Sequence, residues 1–255
     1  MELLDQPLPA ESLQSAPATL AFHVAIRFNA VRFRYTNTGP WVLDGINFTI
    51  PKGCRVGFVG STGSGKSTTL DLLMGLLMPT EGEILIDGGP IKGNRLRAWQ
   101  RSIAHVPQSI FLADTTLAEN IAFGVPRDAI DLQRVQQAAR QAQIADFIES
   151  RPEGYDAFVG ERGIRLSGGQ RQRIGIARAL YKQASVLVFD EATSALDSAT
   201  EQSVMDAIEG LSRDLTILIV AHRLSTVECC DRLYRLEQGR VVAEGSPTEI
   251  LATKK

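Results

Sequence analysis

The sequence predicts an α/β fold with a mainly parallel β-sheet, and three observations support this prediction. Residues 186–189 and 215–220 are short, continuous apolar runs, and each follows a segment of helical composition. Strands that are apolar on both faces and alternate with helices are typical of a parallel sheet covered on both sides. A third apolar run, residues 55–59, leads into a glycine-rich loop and then into a helical segment.

The composition is that of a folded protein without a dominant charge. The 255 residues are 44% hydrophobic, and 27 basic against 29 acidic side chains give a net charge of −2. This balance excludes disorder of the whole chain and argues against nucleic acid as a partner bound by bulk electrostatics. The three cysteines, Cys54, Cys229 and Cys230, have no metal-binding or disulfide spacing, which favours a reducing compartment.

The chain lacks a run of the roughly 20 apolar residues that a membrane-spanning helix needs. We therefore expect this chain by itself to be soluble. Residues 1–20 are acidic and contain three prolines, so we interpret residues 1–22 as a linker.

The first elements are predicted to be strands. Residues 24–28, 31–35 and 45–50 are rich in β-branched and aromatic side chains and are separated by turn-forming residues, which indicates an antiparallel layer. The strand 55–59, a helix over 68–77 and a strand over 82–87 come next. Near the end, residues 232–243 are predicted to form a hairpin that turns at Gln238 and Gly239.

The middle of the chain is predicted to be helical. Over 131–150, Val135, Ala138, Ala142 and Phe147 recur at near-helical spacing, which indicates an amphipathic helix. We interpret residues 94–165 as a helical subdomain inserted into an α/β domain made of residues 23–93 and 166–255.

The most specific motif is a phosphate-binding loop. Residues 60–67 fit G-x-x-x-x-G-K-[ST], with a predicted strand before them and a helix after them. Backbone amides of the loop and the start of the helix bind phosphate oxygens, Lys66 reaches the β- and γ-phosphates, and Ser67 holds Mg²⁺. A chance glycine-rich turn is the structural alternative, and the strand–loop–helix context argues against it. The ATP-binding residues predicted here are Gly60, Ser61, Thr62, Gly63, Ser64, Gly65, Lys66, Ser67 and Thr68.

Polar residues follow two further apolar strands. Asp190 and Glu191 come after residues 186–189, and His222 comes after residues 217–220. Because ligands bind at the carboxyl ends of strands in such sheets, we expect these side chains to lie beside the phosphate loop. Asp190 is predicted to order Mg²⁺ and Glu191 to act as general base on the attacking water. A capping or solvated carboxylate and a structural histidine are the alternatives.

A second glycine-rich segment precedes the helical stretch 171–181. Residues Leu166, Ser167, Gly168, Gly169 and Gln170 place two glycines and a serine at a helix start, which is a second anion-binding arrangement. By itself this segment is equally consistent with a capped helix start. One bound nucleotide does not need two such cradles within one chain.

Taken in order, these motifs resemble those of the nucleotide-binding domain of ABC transporters, over roughly residues 24–248. The resemblance implies a P-loop NTPase fold with ATP and Mg²⁺ as cofactors. It also implies roles for the following residues: Tyr35 (adenine stacking), Gln108 (with Ser67 and Asp190, the Mg²⁺ site), Glu191 and His222 (catalysis), Asp197 (D-loop), and Leu166–Gln170 (the signature motif).

The resemblance also implies partners. In this family two domains pair head-to-tail, and the signature of one covers the ATP held by the other. Residues 159–163 and 111–124 are similar to segments of ABC exporters, the latter to the one that meets the membrane domain. We therefore expect a second copy and a transmembrane domain as partners, at the cytoplasmic face of a membrane. The transmembrane domain is expected to be fused N-terminally in a longer half-transporter, and a separately encoded subunit is the alternative. Residues 106–112 weakly resemble bacterial flippases of lipid-linked sugars.

Two rival functions remain open at this point. One is a soluble ABC-type ATPase that acts on DNA or ribosomes, although such machines carry long coiled coils or two ATPase domains in one chain. The other is a nucleotide-gated binding module that hydrolyses ATP poorly. The presence of both Glu191 and His222 argues against this second function.

Overall fold

The structure is a computed structural model that describes residues 17–160, 166–190, 192, 197–221 and 223–252. Its strands in chain order are β1 (Ala25–Phe33), β2 (Leu43–Pro51), β3 (Arg55–Val59), β4 (Glu81–Ile86), β5 (Gly89–Pro90), β6 (Ile103–Val106), β7 (Val186–Asp190), β8 (Thr216–Val220), β9 (Arg232–Glu237) and β10 (Arg240–Gly245). Its helices are α1 (Lys66–Leu73), α2 (Asn94–Ser102), α3 (Leu117–Ile121), α4 (Leu132–Gln141), α5 (Ala145–Glu149), α6 (Gly168–Tyr181), α7 (Ser198–Glu209) and α8 (Pro247–Ala252).

The N-terminal strands form an antiparallel sheet in the order β2-β1-β4-β5. Apolar and polar residues alternate along β1 and β2, so one face is buried, and Phe28 stacks on Phe48 across the pair with ring centroids 4.3 Å apart. The strands predicted at 24–28 and 31–35 are one strand. The register shifts between Phe28 and Val31, where Ala30 has a φ of 47°, which is the geometry of a β-bulge.

The second sheet has the order β10-β9-β3-β8-β7-β6 and confirms the predicted parallel core. Strands β9, β3, β8, β7 and β6 run parallel, and β10 closes the predicted hairpin antiparallel to β9. The register aligns Phe58 and Asp190 with Val220, and Val106 with Phe189. The loops that follow β3, β6, β7 and β8 therefore leave the same edge of the sheet.

The parallel sheet separates two hydrophobic cores. Along β7, Val186 and Val188 face the core shared with the antiparallel sheet, α1 and Trp99, whereas Leu187 and Phe189 face the core shared with the helices. All four residues are almost completely buried. This two-sided burial explains why β7 is a continuous apolar run rather than an alternating one.

The predicted single helix over 131–150 is wrong. The structure has α4 and α5 instead, and Gln143 between them adopts a left-handed φ of 53°, which a continuing α-helix does not allow. The helical character of the segment is nevertheless confirmed. Strand β6 lies within residues 94–165, and the boundaries of the helical subdomain remain a proposal.

Among the described helices, none combines the length and the hydropathy that crossing a membrane requires.

Candidate nucleotide-binding site

The loop between β3 and α1 has the backbone that a phosphate cradle requires. Gly60 and Gly65 adopt φ angles of 152° and 104°, which side chains rarely allow. An added Cβ on Gly60 would overlap the carbonyl oxygen of Leu236, and one on Gly65 would lie 2.5 Å from Leu43 Cδ2. Both glycines are therefore required by conformation and by close packing, and the loop cannot take this path with larger residues.

The start of α1 is open to an anion. Its N-cap, Gly65, offers no side-chain hydrogen bond, so the first amides of the helix are left without a side-chain cap. The Oγ of Ser64 is buried and makes no hydrogen bond within the described structure. Buried polar groups are normally satisfied, so this unused capacity fits a loop that binds a polar ligand.

Lys66 lies at this opening. Its side chain folds back over the loop, and Nζ donates to the carbonyl oxygens of Gly60 and Ser61, each at 2.9 Å. The residue is 5% exposed, so the ammonium group is held at the loop rather than in solvent. Ser67 is exposed beside it, and Thr68 is buried in the first turn of α1. The predicted phosphate-binding side chains are thus gathered at one helix start.

An exposed aromatic ring lies next to the phosphate loop. Tyr35 is 63% exposed, and its hydroxyl lies 3.3 Å from Thr68 Oγ1. Its ring packs edge-to-face on Phe33, with centroids 4.9 Å apart, which leaves a ring face accessible. A planar base can stack there while its phosphates extend toward Lys66.

The edge of the parallel sheet brings the candidate Mg²⁺ ligands toward this loop. Asp190 ends β7, and Gln108 follows β6, the neighbouring strand. Nearby, burial lowers the pKa of His105, against the opposing effect of Asp190. Hydroxyl, carboxylate and amide oxygens are ligands that Mg²⁺ accepts, so Ser67, Asp190 and Gln108 fit this ion in donor type.

The signature segment forms an exposed helix start. Ser167 caps α6: its Oγ accepts from the amide of Gln170 at 3.2 Å, and Gln170 Oε1 accepts from the amide of Ser167 at 2.8 Å. Ser167 is exposed while Leu166 is buried beneath it. The structure therefore presents a second helix N-terminus on the surface, as the sequence predicts.

Contacts join the signature helix to the loop that carries Gln108. Gln172 is 3% exposed, and its Nε2 donates to the carbonyl oxygen of Pro107 at 3.4 Å. A cavity of about 220 Å³ between the two segments is lined by Gln108, Gly168 and Ala192, among others. A displacement of α6 relative to this loop would therefore act on the backbone next to Gln108.

Some predicted site residues lie outside the described part of the chain. These are Glu191, His222 and residues 161–165 and 193–196. Asp197 is described: it caps α7, and hydrogen bonds from Thr200 lower the pKa of its carboxyl group.

A groove on the helical side was only partly evident from the sequence. It has a volume of about 540 Å³ and includes Phe123, His105, Arg178, Tyr181 and Lys182. Phe123 is 52% exposed and lies beside Phe111, which is 64% exposed. Phe111 and Phe123 lie within residues 111–124, the segment that is similar to ABC exporters in sequence. His105, however, comes from β6 and Arg178 from α6. Only the fold brings them together.

A parallel sheet whose strand β3 leads through this loop into α1 defines a P-loop mononucleotide-binding domain. The model of the ABC transporter family matches residues 43–194. The chain belongs to this family and is an ABC-type ATP-binding ATPase domain.

Its relatives are longer proteins. The chain is 45% identical over 250 residues to the ATP-dependent lipid A-core flippase of Chromohalobacter salexigens, covering 98% of this chain and 42% of that protein. It is 48% identical over 226 residues to the flippase of the same name from Alkalilimnicola ehrlichii, covering 89% and 38%. A solved structure of a bacterial Atm1-family ABC exporter with ATP bound matches with a TM-score of 0.82 and 40% identity, covering 94% of this chain and 42% of that one.

Proposed function

We propose that this chain hydrolyses ATP as a head-to-tail dimer and thereby drives transmembrane export. The observation that carries the proposal is that the chain has two separate glycine-containing helix starts, and a helix N-terminus favours an anion. One is α1 with Lys66, and the other is α6 with Ser167 exposed at its N-terminus. The N-terminus of α6 has a use if it contacts the phosphates of a nucleotide that is bound to a partner copy.

In the proposed reaction, Tyr35 holds the adenine ring and Lys66 holds the β- and γ-phosphates. Ser67, Asp190 and Gln108 would hold Mg²⁺, which would neutralise charge that develops on the phosphates. Glu191 accepts a proton from the attacking water, and His222 contacts the γ-phosphate. The partner's Ser167 and the start of its α6 supply the remaining dipoles.

We assign the groove at Phe123 to the transmembrane domain. Arg134, Arg178 and Lys182 line it together with the exposed ring of Phe123, so the groove suits a short amphipathic segment with an acidic residue. The chain spans about two fifths of the length of the flippases it resembles, which leaves room in a transporter of that kind for such a domain. We accordingly propose that the chain works at the cytoplasmic face of a membrane.

Both flippase relatives are named as lipid A-core flippases. A glycolipid is accordingly the class of substrate that we propose for the transporter. This part of the proposal rests on the relatives alone, since specificity in exporters belongs to the membrane domain.

Turnover of ATP by the purified chain, measured over a wide range of protein concentration, tests the proposal. Dimerisation without a membrane domain is weak, so the rate per chain is expected to rise with concentration. A rate that stays constant would contradict the dimer. Addition of duplex DNA is the control, and stimulation by DNA would favour the soluble ATPase instead.

A further inference from the structure

The first turn of α7 contacts two motifs that are distant in sequence. Its N-cap, Asp197, accepts hydrogen bonds from the amide of Thr200 at 3.0 Å and from the Thr200 hydroxyl at 2.7 Å. The methyl group of Thr200 packs so closely on Gly169 of the signature that a Cβ on this glycine would overlap it. One turn later, Arg173 of α6 donates to Ser203 at 2.7 Å. Helices α7 and α6 therefore pack directly against each other near their N-terminal ends.

Glu201, in the same turn, connects α7 to a third segment. Its side chain is 8% exposed and forms an ion pair with Arg223, and it accepts a hydrogen bond from Thr226 Oγ1 at 2.8 Å. Arg223 directly follows His222 in the sequence, and Thr226 lies in the 3-10 turn Leu224–Val227. The carboxylate thus holds the beginning of the connection between β8 and β9.

The burial of this carboxylate makes the connection specific. A buried carboxylate without partners is strongly unfavourable, so Glu201 favours the conformation in which Arg223 and Thr226 both reach it. By contrast, the ion pair between Arg213 and Asp231 has side chains that are 62% and 40% exposed, and exposed pairs impose little on their surroundings.

We propose that Glu201 is a positioning residue that fixes the segment carrying His222 to the helix capped by Asp197. Through this link the position of α7 and the contact of His222 with the γ-phosphate are fixed together. The proposal rests on the function proposed above for His222. Glu201 itself touches neither nucleotide nor water in this role.

Substitutions of Arg223, the more exposed partner of the ion pair, test the link while Glu201 itself is kept. Arg223→Met is expected to lower kcat for ATP about tenfold, the equivalent of one lost charged hydrogen bond, while the affinity for ATP stays unchanged. Arg223→Lys keeps the charge and is expected to restore most of the rate. Arg213→Met, which removes the exposed ion pair, is the matched control and is expected to keep the wild-type rate.

Glu201→Gln and the double variant of Glu201→Gln with Arg223→Met complete a double-mutant cycle, in which kcat is compared among all four chains. If the two residues act through each other, the double variant is no slower than the slower single variant. Wild-type kcat in Arg223→Met, strictly additive losses, or a parallel loss of ATP affinity would each overturn the proposal. If Glu201→Gln does not fold, the Met and Lys variants at Arg223 still decide it. If the wild-type chain hydrolyses ATP and Arg223→Met does so equally well, only this link is refuted. If the wild-type chain does not bind ATP, the proposed function itself is refuted.

Discussion

The guanidinium group of Arg178 lies over the ring of Phe123, 4.5 Å from its centroid, and donates through Nε to the carbonyl oxygen of Asn120 at 2.9 Å. Its Nη1 also donates to the carbonyl oxygen of Phe111 at 3.0 Å. Burial lowers the pKa of this arginine, but the group remains charged at any physiological pH. Arg178 of α6 therefore contacts both ends of the segment 111–123, and the last residues of this segment line the groove.

Arg178→Met is expected to destabilise the domain. The substitution leaves two backbone carbonyl groups without their charged donor, so the free energy of unfolding should fall by about 2–3 kcal/mol. Denaturant unfolding measures this. Arg127→Met is the control because Arg127 is 73% exposed and its pair with Glu119 spans 3.9 Å. Equal stability of the two variants would contradict the role given to Arg178.

Lys66→Ala is expected to weaken ATP binding at least tenfold, because the β- and γ-phosphates lose their point charge. Titration with a fluorescent ATP analogue measures the affinity, and circular dichroism checks the fold. Lys52→Ala, at an exposed turn position, serves as the control. Unchanged affinity in Lys66→Ala would remove the loop from the proposed site.

Glu191→Gln is expected to retain ATP binding and to lose hydrolysis. The amide has nearly the same volume as the carboxyl group but does not accept the proton of the attacking water. The variant should then accumulate as an ATP-bound dimer, which size-exclusion chromatography with Mg-ATP detects. A wild-type turnover rate would end the assignment of Glu191 as general base.

A mixture of two inactive variants tests whether the sites are composite. Ser167→Arg places bulk and charge where the partner's γ-phosphate docks, and Lys66→Ala removes the phosphate contact. In a mixed dimer, one site combines the intact loop of one chain with the intact signature of the other. Part of the activity should therefore return on mixing at high protein concentration.

The same experiment has an outcome that contradicts the head-to-tail dimer. Ser167 also caps α6, so loss of its side chain costs about 1 kcal/mol, and both variants must first be shown to be folded. If two folded variants recover no activity at any mixing ratio, the head-to-tail dimer is wrong.

Much of the fold was predictable because its signals are local. The parallel strands β7 and β8 are recognisable as continuous apolar runs, and the phosphate loop is a contiguous motif between a strand and a helix. The predicted turn at Gln238 and Gly239 is also confirmed, with both residues at positive φ, as a tight hairpin turn requires. Such features depend on neighbours in the sequence, and a linear pattern records them.

The sequence by itself thus determined the class of fold, the loop at 60–67 and the order of the motifs. Only the tertiary structure decided that Ala30 forms a bulge within one strand, that Gln143 divides the helix, and that the four-residue strand β6 lies at the sheet edge. It also decided the ion pair between Glu201 and Arg223, which are 22 residues apart. The physical reason is the same in each case: register, helix breaks and buried charge pairs are selected by the free energy of packing distant segments together, and periodicity within one segment does not encode that packing.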